Sequence, residues 1–153
     1  MSEKFEDAVL KAFIASGTNV SSKGSILITV RDKDKEEMLP LAKKFKKIGF
    51  GIYATSGTAK FLKEHGVEST VIEKLWEGKN SIIDLIESGK INFVINTPTK
   101  GKEANRDGFK IRRMTVECKI PCFTSLDTAS ALYKAIEDNT KEKDLTPVDI
   151  TKI

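Results

Sequence analysis

Five short apolar runs, each followed by a helical periodicity, dictate what this chain can become. Ser25-Ile26-Leu27-Ile28-Thr29-Val30 is almost continuously apolar and lacks the alternation of a half-exposed strand, as expected of a strand covered on both faces. Further strands are predicted over Gly51–Ala54, Glu68–Ile72, Ile91–Ile95 and Pro121–Phe123. Between them the spacing predicts helices over about Lys35–Ile48 (Met38, Leu41, Ala42 and Phe45 inward), Thr58–His65, Ser81–Ser88 and Phe109–Cys118. A closing helix runs over about Asp127–Glu137, and Gly89 stops the one that carries Ile82, Ile83, Leu85 and Ile86. Strands that alternate with helices call for a parallel sheet, right-handed crossovers and helices on both faces, an α/β architecture of three layers.

A helix precedes this alternation. Residues 3–16 place Phe5, Ala8, Val9, Ala12 and Phe13 on one face, Gly17 ends the helix, and Thr18–Lys23 forms a polar connector. No strand comes before it, so it reads as the last helix of something larger. The expected organisation is a linker helix and connector over 1–23, one domain over 24–138, and a charged, Pro147-containing tail over 139–153. The length of 153 residues suffices for one properly buried core.

The formal charge of +4 is spread over helices that mix lysine with glutamate, a solvated surface rather than a nucleic-acid footprint. The apolar runs are too short to cross a bilayer and no leader pattern precedes them, so a soluble, cytoplasmic protein without membrane or nucleic-acid partners is expected. Cys118, Cys122 and the single histidine, His65, are too few for a zinc site, so no metal is expected. The two thiols read as small buried apolar groups, and His65, at a helix end, as a partner of the last carbonyls.

In such sheets ligands gather at the carboxyl ends of the strands. Arg31, Lys33 and Lys35 follow the first strand, the Thr55-Ser56-Gly57-Thr58 turn the second, Lys74 and Trp76 the third, Asn96 and Thr97 the fourth, and Thr124 and Ser125 the fifth. Cations, hydroxyls and one amide collect on that rim, which suits an anion. The turn within GFGIYATSGTAKFLKEHG offers free N–H groups and a helix dipole, with Gly57 allowing close approach and Thr55 and Thr58 adding neutral donors. The plainer alternative is that Thr55 or Ser56 merely caps the helix.

With these motifs in order, the chain resembles the methylglyoxal-synthase-like domain, in the version found at the carboxyl end of the large subunit of carbamoyl phosphate synthetase. GSILITVRDKDKEE, GFGIYATSGTAKFL, VIEKLWEGKNSIIDLIESGKINFVINTPT and GFKIRRMTVECKIPCFTSLDTASAL carry the resemblance over about Gly24–Glu137, and the opening helix resembles the segment that joins this domain to the second ATP-using half. The resemblance implies a Rossmann-like sheet of strand order 3-2-1-4-5 and a regulatory role in which UMP inhibits, IMP activates and ornithine binds nearby. It implies effector and phosphate contacts from Lys35, Thr55, Thr58, Lys74 and Asn96, a ribose contact from Asp107, and an ornithine region at Thr124 and Ser125. Pro98 stands where many bacterial relatives carry a hydroxyl residue on the phosphate, leaving Thr97 or Thr99 to substitute. No cofactor is implied for this domain. ATP, Mg and K belong to the parent enzyme's other domains. The implied partners are the rest of the large subunit and the glutamine amidotransferase small subunit, with a homo-oligomer also allowed.

Two other readings stay open. A methylglyoxal synthase needs aspartates beside its phosphate site to move protons; here Trp76-Glu77-Gly78-Lys79-Asn80 replaces that family's glycine-rich GGDxQ-type segment, and Asn96 replaces its aspartate after the fourth strand. Asp84 falls in a helix and reads as surface, so no carboxylate pair survives and no catalytic residue is assigned. The purine-pathway cyclohydrolase fits less well, lacking its large second domain. The other reading is a structural or oligomerisation module whose rim residues are only caps and surface charges.

Overall fold

The computed structural model describes residues 5–17, 21–73, 81–98 and 104–137. Its elements are α1 (Phe5–Ala15), β1 (Ser25–Thr29), α2 (Lys35–Lys47), β2 (Gly51–Thr55), α3 (Ser56–Glu64), β3 (Thr70–Ile72), α4 (Ile82–Glu87), β4 (Phe93–Asn96), α5 (Ala104–Glu117), β5 (Cys122–Phe123) and α6 (Leu126–Glu137). The strands form one sheet in the order β3-β2-β1-β4-β5, every pair parallel. The predicted α/β class, topology and strand order are those observed.

Alternating side chains along each strand feed two separate cores, which explains the continuous apolar runs. Ile26, Ile28, Ile52, Ala54, Phe93 and Ile95 meet Met38, Phe45, Leu62, Leu132 and Tyr133 on one face. Leu27 and Val94 meet Ile82, Ile86 and Ile111 on the other. Edge-to-face rings tie the first core together: Phe45 lies 5.4 Å from both Phe50 and Tyr133. Among the described residues no helix is long and apolar enough to cross a membrane.

Several local expectations are corrected. There is no separate turn between the second strand and helix: Thr55, with φ −65° and ψ 153°, ends β2 and α3 begins at Ser56, not Thr58. The helix after β4 begins at Ala104 rather than near Phe109, which puts Asp107 in the first helical turn instead of a loop. Gly108 lies in that helix; a Cβ there would stand 3.1 Å from Arg112 Nη1 and 3.3 Å from Asn96 Oδ1, so the glycine makes room for that pair. On α1 the buried residue is Leu10, and Phe13 packs edge-on against Phe123 at 5.4 Å. Phe5 is 67% exposed and Ala12 is exposed as well. Phe5 lies about 140° round the helix from Leu10, too far to share its face. Cys118 and Cys122 are free and half-buried rather than fully buried. His65 sits where predicted, its Nδ1 2.8 Å from the Phe61 carbonyl oxygen. The tail beyond Glu137 and the loop with Lys74 and Trp76 lie outside the described residues.

Candidate functional site

The strand register assembles a polar row across the carboxyl ends of the three central strands. Thr29 pairs with Asn96, and Ile28 pairs with Ala54, so Thr55 comes level with Thr29 on its other side. Adjacent strands lie about 4.8 Å apart, which sets the Thr55 and Asn96 backbones about 10 Å from each other. Alternation turns all three to the face of Leu27 and Val94. They are buried polar side chains, exposed by 4% (Thr55), 9% (Thr29) and 3% (Asn96).

The start of α3 is left open. Thr55 occupies the N-cap position, yet its side chain makes no capping hydrogen bond; its Oγ1 instead donates to Thr58 Oγ1 at 3.5 Å. The plain capping alternative therefore does not describe this helix. In the same molecule Ser81 caps α4 fully, accepting from the Asp84 N–H at 3.1 Å while Asp84 returns a bond to the Ser81 N–H. At α3 the first-turn N–H groups keep their attraction for an anion. Lys35 crosses from α2 to this point: its Nζ donates to the Gly57 carbonyl at 3.0 Å and pairs with Asp32 at 2.7 Å. A lysine with only 15% of its side chain exposed thus stands beside an uncapped helix start.

Hydrogen bonds bind the neighbouring loops into one frame. The Arg31 N–H donates to Thr97 Oγ1 at 3.1 Å and Arg31 Nη1 to the Pro98 carbonyl at 3.1 Å, joining the segment after β1 to the one after β4. Arg31 Nε meets Asp34 Oδ2 at 2.5 Å. Arg31 is thereby committed to holding the rim together, where sequence reasoning had offered it as a rim cation. Asp34 is a residue that sequence reasoning missed. Burial acts to raise its pKa, but hydrogen bonds from Arg31 and Thr97 and the charges of Arg31 and Lys33 outweigh that, and the carboxyl sits below its ordinary range. A carboxylate held this firmly ionised and hydrogen-bonded is a poor proton acceptor. Its only advance signal was the charge run Arg31-Asp32-Lys33-Asp34-Lys35.

On the far side of the row, Arg112 Nη1 of α5 donates to Asn96 Oδ1 at 2.8 Å. Asp107 precedes Gly108, whose backbone borders the same amide. Thr124 and Ser125 follow β5, the strand next to β4; Thr124 is exposed, and the Ser125 carbonyl accepts from the Ala129 N–H at 3.2 Å at the start of α6. Burial raises the Cys122 thiol's pKa against the opposing effects of the Thr115 hydrogen bond and the Arg112 charge, so it stays protonated and unreactive. The structure therefore brings Lys35, Thr55, Thr58, Asn96 and Asp107 to one rim and sets Thr124 and Ser125 on the adjoining strand end. Lys74 lies outside the described residues.

A family model described as MGS-like domain matches residues 37–124, more than half of the chain. Among solved structures the chain is similar to a methylglyoxal synthase from Elizabethkingia anophelis NUHP1, with a TM-score of 0.63 and 19% identity, covering 83% of this chain and 84% of that one. At that identity the likeness shows a shared fold.

Proposed function

The chain belongs to the MGS-like domain family, and on that premise we propose that its rim binds the phosphate of a nucleoside monophosphate such as UMP or IMP. In this reading it is the cytoplasmic regulatory domain of a carbamoyl phosphate synthetase large subunit. The observation that carries the reading is the uncapped start of α3 with Lys35 Nζ 3.0 Å from the Gly57 carbonyl. A dianion there would give Lys35 Nζ an ionised acceptor in place of the neutral Gly57 carbonyl and would accept from first-turn N–H groups. Lys74 would add the second cation, Asn96 a donor, and Asp107 an acceptor for ribose hydroxyls. Ornithine would lie at Thr124 and Ser125, toward the synthetase body. Regulation then requires the effector to bind one arrangement of the parent enzyme more tightly than another.

Calorimetric titration with UMP, IMP and inorganic phosphate tests this directly. Saturable binding of a nucleotide, weakened about ten-fold or more by Lys35→Ala, is expected for a charge-assisted phosphate contact. No binding by any of the three overturns the reading and leaves the structural-module alternative.

A lyase reading draws on the shared fold with a methylglyoxal synthase. It is the weaker one, because Asn96 cannot act as a general base and Asp34 is tied to Arg31. Formation of methylglyoxal from dihydroxyacetone phosphate by this chain would reverse that order.

A further inference from the structure

We infer that Arg112 is a positioning residue that makes Asn96 a donor-only group, so that the ligand atom met at this point of the rim must be a hydrogen-bond acceptor. The inference rests on the reading of the rim as a ligand site and narrows what that site selects. An asparagine amide carries both a donor and an acceptor end and can turn either outward. Here the choice is made by chemistry: the guanidinium has only N–H groups, so the atom 2.8 Å from Arg112 Nη1 is the amide oxygen. Asn96 is only 3% exposed, so the partner offered by the protein, not solvent, decides its orientation. With Oδ1 engaged by Arg112, the end of the amide left for a ligand is Nδ2, which can only donate. A phosphate oxygen or a carbonyl oxygen answers that donor; an ammonium group is turned away by it.

The sequence supports the lock on α5. Gly108 and Arg112 stand one turn apart on that helix, so they share a face. At Gly108 a Cβ would stand 3.1 Å from Arg112 Nη1 and 3.3 Å from Asn96 Oδ1, so a side chain there would crowd the pair.

The test is a phosphate titration of the whole chain followed by 15N–1H correlation spectra, reading the Asn96 side-chain NH2 pair and the backbone N–H groups of Gly57 and Thr58. In the wild type, inorganic phosphate should move both sets. Arg112→Leu should weaken phosphate binding about ten-fold and abolish the Asn96 side-chain shift while the α3 N–H groups still respond; Arg112→Lys, which can still donate to Oδ1, should recover most of both. Asn96→Asp keeps a partner for Arg112 and hence the fold, but has no donor, and should bind at least as weakly as Arg112→Leu. Equal binding by Arg112→Leu and wild type, failure of Arg112→Lys to recover, or undiminished binding by Asn96→Asp overturns the lock. If the α3 N–H groups do not respond in the wild type, the anion site itself is wrong. A response there without one at Asn96 removes the lock alone.

Discussion

The ion pair of Asp34 with Arg31 shows how a single residue ties stability to the rim. Asp34's folded pKa lies below the ordinary 3.8, so its contribution is complete above that value and is lost as pH falls through the lower folded one. Asp34→Asn should therefore cost about 1–3 kcal/mol at neutral pH, the scale of a hydrogen bond to a charged group, and the deficit should shrink below pH 4. Urea melts of the two proteins at pH 7 and near pH 3 give the comparison; a deficit that persists unchanged in acid would detach Asp34 from its charge. Tyr133 carries the opposite sign. Burial, with the Oη–Glu137 bond of 2.7 Å and the carboxylate's charge, pushes its pKa from 10.0 up to about 12. That contribution is whole below pH 10 and disappears as pH rises through about 12, so Tyr133→Phe should flatten the alkaline limb of the stability profile.

Among the elements, α3 separates stability from binding most cleanly. Gly57 lies in its first turn, and a Cβ there would meet only Lys35 Nζ, at an ordinary 3.6 Å. Gly57→Ala should thus raise stability, by up to about 1 kcal/mol from helix propensity, while hindering an anion's approach to the N–H groups. A higher Tm with weaker phosphate binding is the expected pair of results; tighter binding would mean that the anion does not sit there. The strands and their two cores were legible because an apolar run bounded by glycines has few other uses. The rim was legible only in part. Thr55, Thr58 and Asn96 could be placed because strand ends are fixed by the apolar runs before them, and Lys35 because it opens a helix of clear period. The early start of α5 was hidden by Gly108, a poor helix former whose neighbours Arg112 and Asn96 meet it in space, Asn96 from a distant point of the sequence. Asp34 was hidden likewise, since a charge run on paper does not say which member will be buried. At the opposite end of the strands, Gly24 has φ +142°, and a Cβ would fall 1.7 Å from Asn92 Oδ1, the acceptor of the Ser25 N–H. Gly24→Ala should destabilise by more than about 2 kcal/mol in denaturant titration, combining backbone strain with a lost hydrogen bond.

For the molecule as a whole, the question is where α1 belongs. Its pattern reads as the last helix of something larger, with Phe5 and Ala12 on its apolar face. Both are exposed, and α1 lies against α6 of this chain, with Leu10 only 3% exposed and Phe13 edge-on to Phe123 of β5. Its apolar stripe is thus split: Leu10 and Phe13 face the sheet's own helical layer, while Phe5 faces away. If α1 is part of this cooperative unit, Leu10→Ala removes a buried side chain from it and should cost about 2–4 kcal/mol, with a matching fall in Tm and a single transition. Phe5→Ala should change stability by less than about 0.5 kcal/mol, because it deletes only exposed surface. A helix that merely tethers the domain would give the reverse signature: Leu10→Ala would leave the main transition in place. The contrast also bears on the proposed regulation. Because α6 begins directly after Thr124 and Ser125, its packing against α1 connects the rim's outer strand end to α1 through packed side chains. Leu10→Ala should therefore loosen α6 and raise amide hydrogen exchange along Leu126–Glu137, while the α3 start, on the other side of the sheet's centre, keeps its phosphate response.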